Sequence, residues 1–225
     1  MDKNTYTLLE NYMISCMEDS AHDKEHVYRV LYTALEIAVK EADVDYDILI
    51  TSCLLHDIGR KEQNGNPKLC HAVAGGEKAY KFLTEQGFDS EFAGKVRDCI
   101  TTHRFRKGNP PESLEAKILF DADKLDVTGA VGIARTLVYK GQFADPLYIM
   151  NPDGTVSDGT GDEQSSFFQE YKFKLENLYG RFLTARGAEM AAERQQAAVD
   201  FYNNLYREVS EPYIKGRNSL NDILK

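Results

Sequence analysis

The chain has 225 residues, enough for one sizeable domain with a buried core. Lys and Arg total 27 against 36 Asp and Glu, a net charge of -9 that argues against a surface tracking a nucleic-acid backbone; small anionic ligands can still be held in a locally basic cleft. Met1 to Tyr6 lack the apolar core of a secretory signal, no run approaches the ~20 apolar residues of a membrane helix, and four scattered cysteines show no Cys-x-x-Cys spacing. A cytoplasmic protein with reduced, buried thiols is expected, with neither a membrane nor large nucleic acid as partner; self-association is left open.

In chain order, His26, Val30, Ala34, Ile37 and Ala38 recur at helical steps and place His26 on an apolar stripe. A second helix is expected from about Tyr46 to Ile58, stopped at Gly59 by a left-handed cap. After the turn-rich Asn64-Gly65-Asn66-Pro67 come helices from about His71 to Glu85 and from about Ser90 to His103, where Phe92, Val96, Cys99 and Ile100 share a face with His103. Glu112 to Tyr139 reads as one helix carrying Leu119, Asp123, Val127 and Ala130, with Gly129 and Gly132 allowing a bend or close packing.

Between residues 141 and 163 the periodicity stops, and Asn151-Pro152-Asp153-Gly154 and Gly159-Thr160-Gly161 read as a long loop, either a lid or a structureless connection. Two amphipathic helices follow within about 164–210, one with Phe168, Tyr171, Leu175, Leu178 and Phe182, the other with Met190, Ala197, Phe201 and Leu205. Strand-type alternation is absent. The expected fold is an all-α bundle, and residues 1–225 are taken as a single domain.

All five histidines, His22, His26, His56, His71 and His103, fall in the first half of the chain. Three of them interrupt apolar stripes, Asp57 follows His56 at the end of an apolar helix, and Asp123 interrupts Ile118-Leu119-Phe120 and Ala122. Buried imidazoles need partners for both ring nitrogens, and carboxylates are almost never buried unpaired. One cation satisfies both demands. Adjacent helix residues point about 100° apart, so His56 and Asp57 can meet one ion only where the helix ends. Imidazole and carboxylate donors suit iron, manganese, nickel or zinc better than calcium. Should His71 and His103 also ligate, the six groups favour two ions bridged by Asp57; a helix-starting role is the alternative for His71.

The order His26, then His56-Asp57, then Asp123 reproduces the H…HD…D signature and resembles the HD superfamily of metal-dependent phosphohydrolases. The runs His22-Asp23-Lys24-Glu25-His26-Val27-Tyr28-Arg29-Val30, Leu54-Leu55-His56-Asp57-Ile58-Gly59 and Asp121-Ala122-Asp123-Lys124-Leu125-Asp126, followed by Gly129 to Arg135, extend the resemblance over about 20–140. It implies an HD-domain helical bundle with additional C-terminal helices. It also implies metal roles for His26, His56, Asp57 and Asp123, with His71 and His103 in the places of two further ligands found in dinuclear relatives. The cofactor is then one or two divalent transition ions (Fe, Mn, Ni or Zn, with Mg admissible).

The expected reaction is hydrolysis of a phosphoester or phosphoanhydride in a nucleotide or other small phosphorylated metabolite, by attack of a metal-bound hydroxide. Lys124, with Arg104 or Arg106, would hold the phosphate; Lys124 can instead pair with Asp121, and the Arg104-to-Lys107 run can be a solvated basic loop. His22 can act as general acid for the leaving oxygen or belong to a helix start. Asp126 can orient a ligand from behind. Two other readings stay open: a dinuclear-iron oxygenase, and a metal-stabilised regulatory domain without turnover.

Overall fold

The computed structural model describes residues 1–17, 24–66, 68–105 and 108–224. His22 and Arg106 lie outside the described residues. The protein is all-α, with no strand among the described residues and only an isolated bridge between Met150 and Val156. No helix among them is long and apolar enough to cross a membrane. By its contacts the chain divides into two compact units: Met1–Asp126 with Phe182–Gly187, and Val127–Arg181 with Ala188–Lys225.

The first unit contains α1 (Lys3–Cys16), α2 (Lys24–Ala38), α3 (Tyr46–Leu55), α4 (Arg60–Gly65), α5 (His71–Glu85), α6 (Ser90–Thr102) and α7 (Leu114–Leu125). Helix α3 is its centre, touching α1, α2, α5, α6 and α7. The sequence explains this placement, because α3 is apolar on nearly every side and buries Ile48, Leu49, Cys53, Leu54 and Leu55. Acidic and hydroxyl caps start the helices: Asp45 accepts from the backbone of Asp47 and Ile48, Asp89 from Glu91 and Phe92, and Ser113 from Ala116. Helix α1 carries no marked pattern that the sequence reading could use, since it buries only Leu9 and Met13.

Helix α3 stops three residues short of Ile58. The backbone then tightens, with Ile58 N–H donating to Leu55 O and Arg60 N–H to Asp57 O across three residues rather than four. Gly59 is not a left-handed cap, since its φ is -90°. Its missing side chain serves close packing: a Cβ there would lie 2.3 Å from His71 O and 2.5 Å from Gly75 N. The α3–α4 turn and the start of α5 therefore touch backbone to backbone, which brings His56, Asp57 and His71 together.

The second unit contains α8 (Gly129–Gln142), α9 (Phe167–Phe173), a 3₁₀ turn at Leu175–Asn177 and most of α10 (Ala185–Ile223). The single helix expected over Glu112 to Tyr139 is two, α7 and α8, separated where Gly129 takes a φ of 59° that ordinary residues disfavour. The expected helix from Phe168 to Phe182 is also cut, because Lys174 leaves helical geometry at φ -122°. Phe167, Phe168, Tyr171, Leu175, Leu178, Ala198 and Tyr202 form this unit's core, with Tyr171 and Tyr202 stacked at 4.1 Å. The 141–163 stretch is neither structureless nor bare: Val156 and Ser157 are buried, Ser157 Oγ–H donates to Asp162, and Lys140 reaches Ser165 and Asp145.

Substituting Gly59→Ala is expected to cost about 3 kcal/mol or more, because the added carbon meets backbone rather than a movable side chain. Gly65→Ala, with nothing within 4 Å of the new Cβ, is expected to leave stability equal or higher. Urea midpoints of the two variants measure the difference.

Candidate metal centre

Five elements of the first unit converge on one point. His26 comes from α2, His56 and Asp57 from the turn after α3, His71 from the first residue of α5, His103 from the end of α6, and Asp123 from α7. Their donor atoms form two triads, one of His26, His56 and Asp123 and the other of Asp57, His71 and His103. Within each triad the donor atoms lie within 4.8 Å of one another. All six expected ligands are thus gathered, five of them buried and Asp123 with 27% of its side chain exposed. The centre opens toward solvent on the Asp123 side.

Asp57 sits between the triads with its two oxygens turned different ways. Oδ2 lies 3.5 Å from His26 Nε2 and 3.7 Å from His56 Nε2, whereas Oδ1 lies 3.3 Å from His71 Nε2 and 3.9 Å from His103 Nε2. Arg60 Nε–H donates to the same Oδ1 at 3.0 Å. Burial opposes ionisation of Asp57, but Arg60 and the neighbouring histidines outweigh it and hold its pKa well below the ordinary carboxylate value.

Each histidine has its Nδ1 committed elsewhere. His56 and His103 cap their helices, and each Nδ1–H donates to the carbonyl three residues earlier, Cys53 O at 2.8 Å and Ile100 O at 2.6 Å. These contacts use carbonyls of the last helical turn, which a helix end leaves short of intrahelical partners. His71 Nδ1 donates to Gln63 Oε1 at 2.6 Å, and His26 Nδ1 to Asp126 Oδ2 at 2.7 Å. Arg29 clamps Asp126 from the other side through Nε and Nη2, at 2.7 and 3.0 Å.

With every Nδ1 carrying the proton, the four Nε2 lone pairs face inward. His26 Nε2 and His56 Nε2 stand 3.3 Å apart, so the pair needs a positive charge between its two lone pairs, either a proton on one ring or a cation. Asp57 Oδ2 and His71 Nε2 are buried without a hydrogen-bond partner. The donor set fits a cation, since lone pairs and carboxylate oxygens meet with too few protons between them. Burial lowers the pKa of His71 to about 2 and that of His103 to about 4, so both rings are neutral and able to ligate at physiological pH. Burial also opposes charge on His26, but hydrogen bonds to Asp123, Asp126 and Asp57 prevail and raise its pKa to about 10. In the metal-free protein, a proton on His26 stands where an ion's charge would be.

Residues 24–128 match the family described as HD domain. The uncharacterised Bacillus subtilis protein YpgQ is 32% identical over 196 residues, which span 85% of this chain and 86% of YpgQ. The chain belongs to the HD superfamily. The structure of YpgQ in complex with ADP superposes on this HD protein with a TM-score of 0.71 at 27% identity, covering 91% of this chain and 95% of that one. A predicted HD superfamily hydrolase from an uncultured Thermotogales bacterium gives a TM-score of 0.60 at 29% identity, covering 92% and 93%. HD domains bind divalent metals, in keeping with the two triads.

The basic residues expected near the site are arranged unequally. Arg104 Nη1 lies 3.2 Å from His71 Nδ1, and Lys124 Nζ stands 4.4 Å from the centre of the Phe120 ring, one residue beyond Asp123. Sequence reasoning passed over Arg60 and Gln63, which hold Asp57 and His71. Arg60 follows Asp57 by three residues, a spacing that could have revealed it; Gln63 gave no comparable signal.

Ion uptake by this HD protein is expected to displace the His26 proton, so between pH 7 and 9 the apparent affinity for manganese should rise about tenfold per pH unit. Asp126→Ala, which frees the His26 ring, should weaken that affinity about 10- to 100-fold. Titration calorimetry in buffers of different ionisation enthalpy reads both the proton count and the affinity.

Proposed function

We propose that this HD protein is a metal-dependent phosphohydrolase that cleaves a phosphoester or phosphoanhydride bond in a nucleotide. The observation that carries the reading is Asp57, a buried carboxylate directed at both triads, with cationic side chains close by. Further support comes from YpgQ, a relative of similar length whose structure was determined with ADP.

His26, His56 and Asp123 would hold one divalent transition ion, and His71 and His103 a second, with Asp57 shared between them. Such ions, when bound, supply Lewis acidity toward a phosphoryl oxygen and lower the pKa of water. The chain's own residues do the rest. Arg104, beside His71, and Lys124, the residue after Asp123, would offset negative charge on the phosphate. Asp126 and Gln63 fix the ring orientations of His26 and His71, so that Nε2 faces inward on both. Arg60 keeps Asp57 ionised at low pH as well as at neutrality. His22, four residues before His26, is assigned as the acid that protonates the leaving oxygen, and Arg106 as a further phosphate contact; both assignments rest on sequence alone.

A dinuclear-iron oxygenase is the second reading, since the same six donors around a shared carboxylate suit that chemistry. It gives no role to Arg104 and Lys124.

The protein purified without chelator is expected to contain a divalent transition metal and to release phosphate or pyrophosphate from nucleotides when supplied with manganese or nickel. Asp57→Ala should lose both metal retention and turnover. A variant that keeps full metal content would refute the shared role of Asp57, and iron content with oxygen consumption in place of phosphate release would favour the oxygenase.

A further inference from the structure

Phe105 follows the ligand His103 by two residues and has a backbone φ of 42°. That left-handed conformation is unfavourable for any residue with a Cβ and is a marked outlier for a bulky ring. The turn itself does not call for an aromatic. Phe105 N–H donates to Thr102 O at 2.8 Å and closes the end of α6, a task that glycine or asparagine performs with less strain. Nor is the ring there to fill the core, since 45% of the residue is exposed.

The ring's surroundings are specific. It meets the buried Phe120 ring in a T-shaped contact at 6.0 Å, and Lys124 Nζ stands 4.4 Å from the centre of that same Phe120. The residue before it, Arg104, reaches His71. A strained, half-exposed aromatic thus directly follows Arg104 in the chain, shares the Phe120 ring with Lys124, and lies two residues beyond the ligand position His103. Strain of this kind persists where a site depends on it.

The geometry points to Phe105 as a stacking platform for a nucleobase, a specificity-determining contact that makes nucleoside phosphates the preferred substrates over phosphates lacking a base. The inference rests on the proposed phosphate-binding role of the centre and adds the other end of the substrate. The occupant is a planar, uncharged heteroaromatic ring joined to a phosphate, because only such a ligand uses the exposed ring and the neighbouring cations together.

The test is titration calorimetry of ADP and of inorganic pyrophosphate against the full chain with manganese present. Phe105→Asn removes the ring while tolerating the left-handed backbone, so its melting temperature should equal or exceed that of the unaltered protein. It should weaken ADP about 5- to 150-fold with little change for pyrophosphate, and Phe105→Trp should retain ADP binding. ADP affinity unchanged in Phe105→Asn, equal weakening of both ligands, or native protein binding ADP no better than pyrophosphate would each overturn the inference. Absence of turnover with ADP binding still dependent on Phe105 would count against the phosphohydrolase reading and leave the platform in place.

Discussion

Four imidazole lone pairs and two carboxylates facing one another in a buried space is the constraint around which the first unit is built. Such an arrangement is unfavourable by itself, since removing several anionic and electron-rich groups from water costs several kcal/mol for each charge. A positive charge in their midst reverses the sign. Without an ion, the cluster obtains part of that charge by keeping a proton on His26 far above the ordinary imidazole pKa. Arg60 on Asp57 and Arg29 on Asp126 act in the same sense, while two helix-end carbonyls fix the tautomers of His56 and His103 so that Nε2 faces the centre.

Helix α3 shows how packing and chemistry are joined. Its apolar surround fixes it at the centre of the first unit, so its C-terminal end must deliver His56 and Asp57 into the interior. The chain then turns through Gly59, whose lack of a side chain lets His71 approach. A fold that depends on a backbone contact at this position ties the assembly of the centre to the stability of the unit. Phe105 differs from these positions, since its left-handed backbone is not required by packing.

Much of the centre was legible in the sequence, because histidines on apolar stripes and carboxylates in apolar runs are chemically out of place unless something pairs them. His26, His56, Asp57 and Asp123 stood out in this way, and Asp126 could be inferred from its three-residue step beyond Asp123. The all-α class followed from periodicity, and the helices starting at His71 and Ser90 were read nearly to the residue. Other features were not legible. Gly59 read as a local cap because sequence shows a glycine's freedom and not what will be packed against it. The break between α7 and α8 was hidden by apolar spacing that runs through it. Gln63 pairs with His71 through a contact set by the α4–α5 arrangement, which no spacing rule anticipates.

The central claim is that these six side chains surround divalent ions. Anomalous scattering from crystals grown with manganese tests it most directly. Two peaks are predicted, one among His26, His56 and Asp123 and the other among His71, His103 and Asp57, with Asp57 reaching both. Peaks confined to other parts of the molecule, or an empty centre at saturating manganese, would contradict the account.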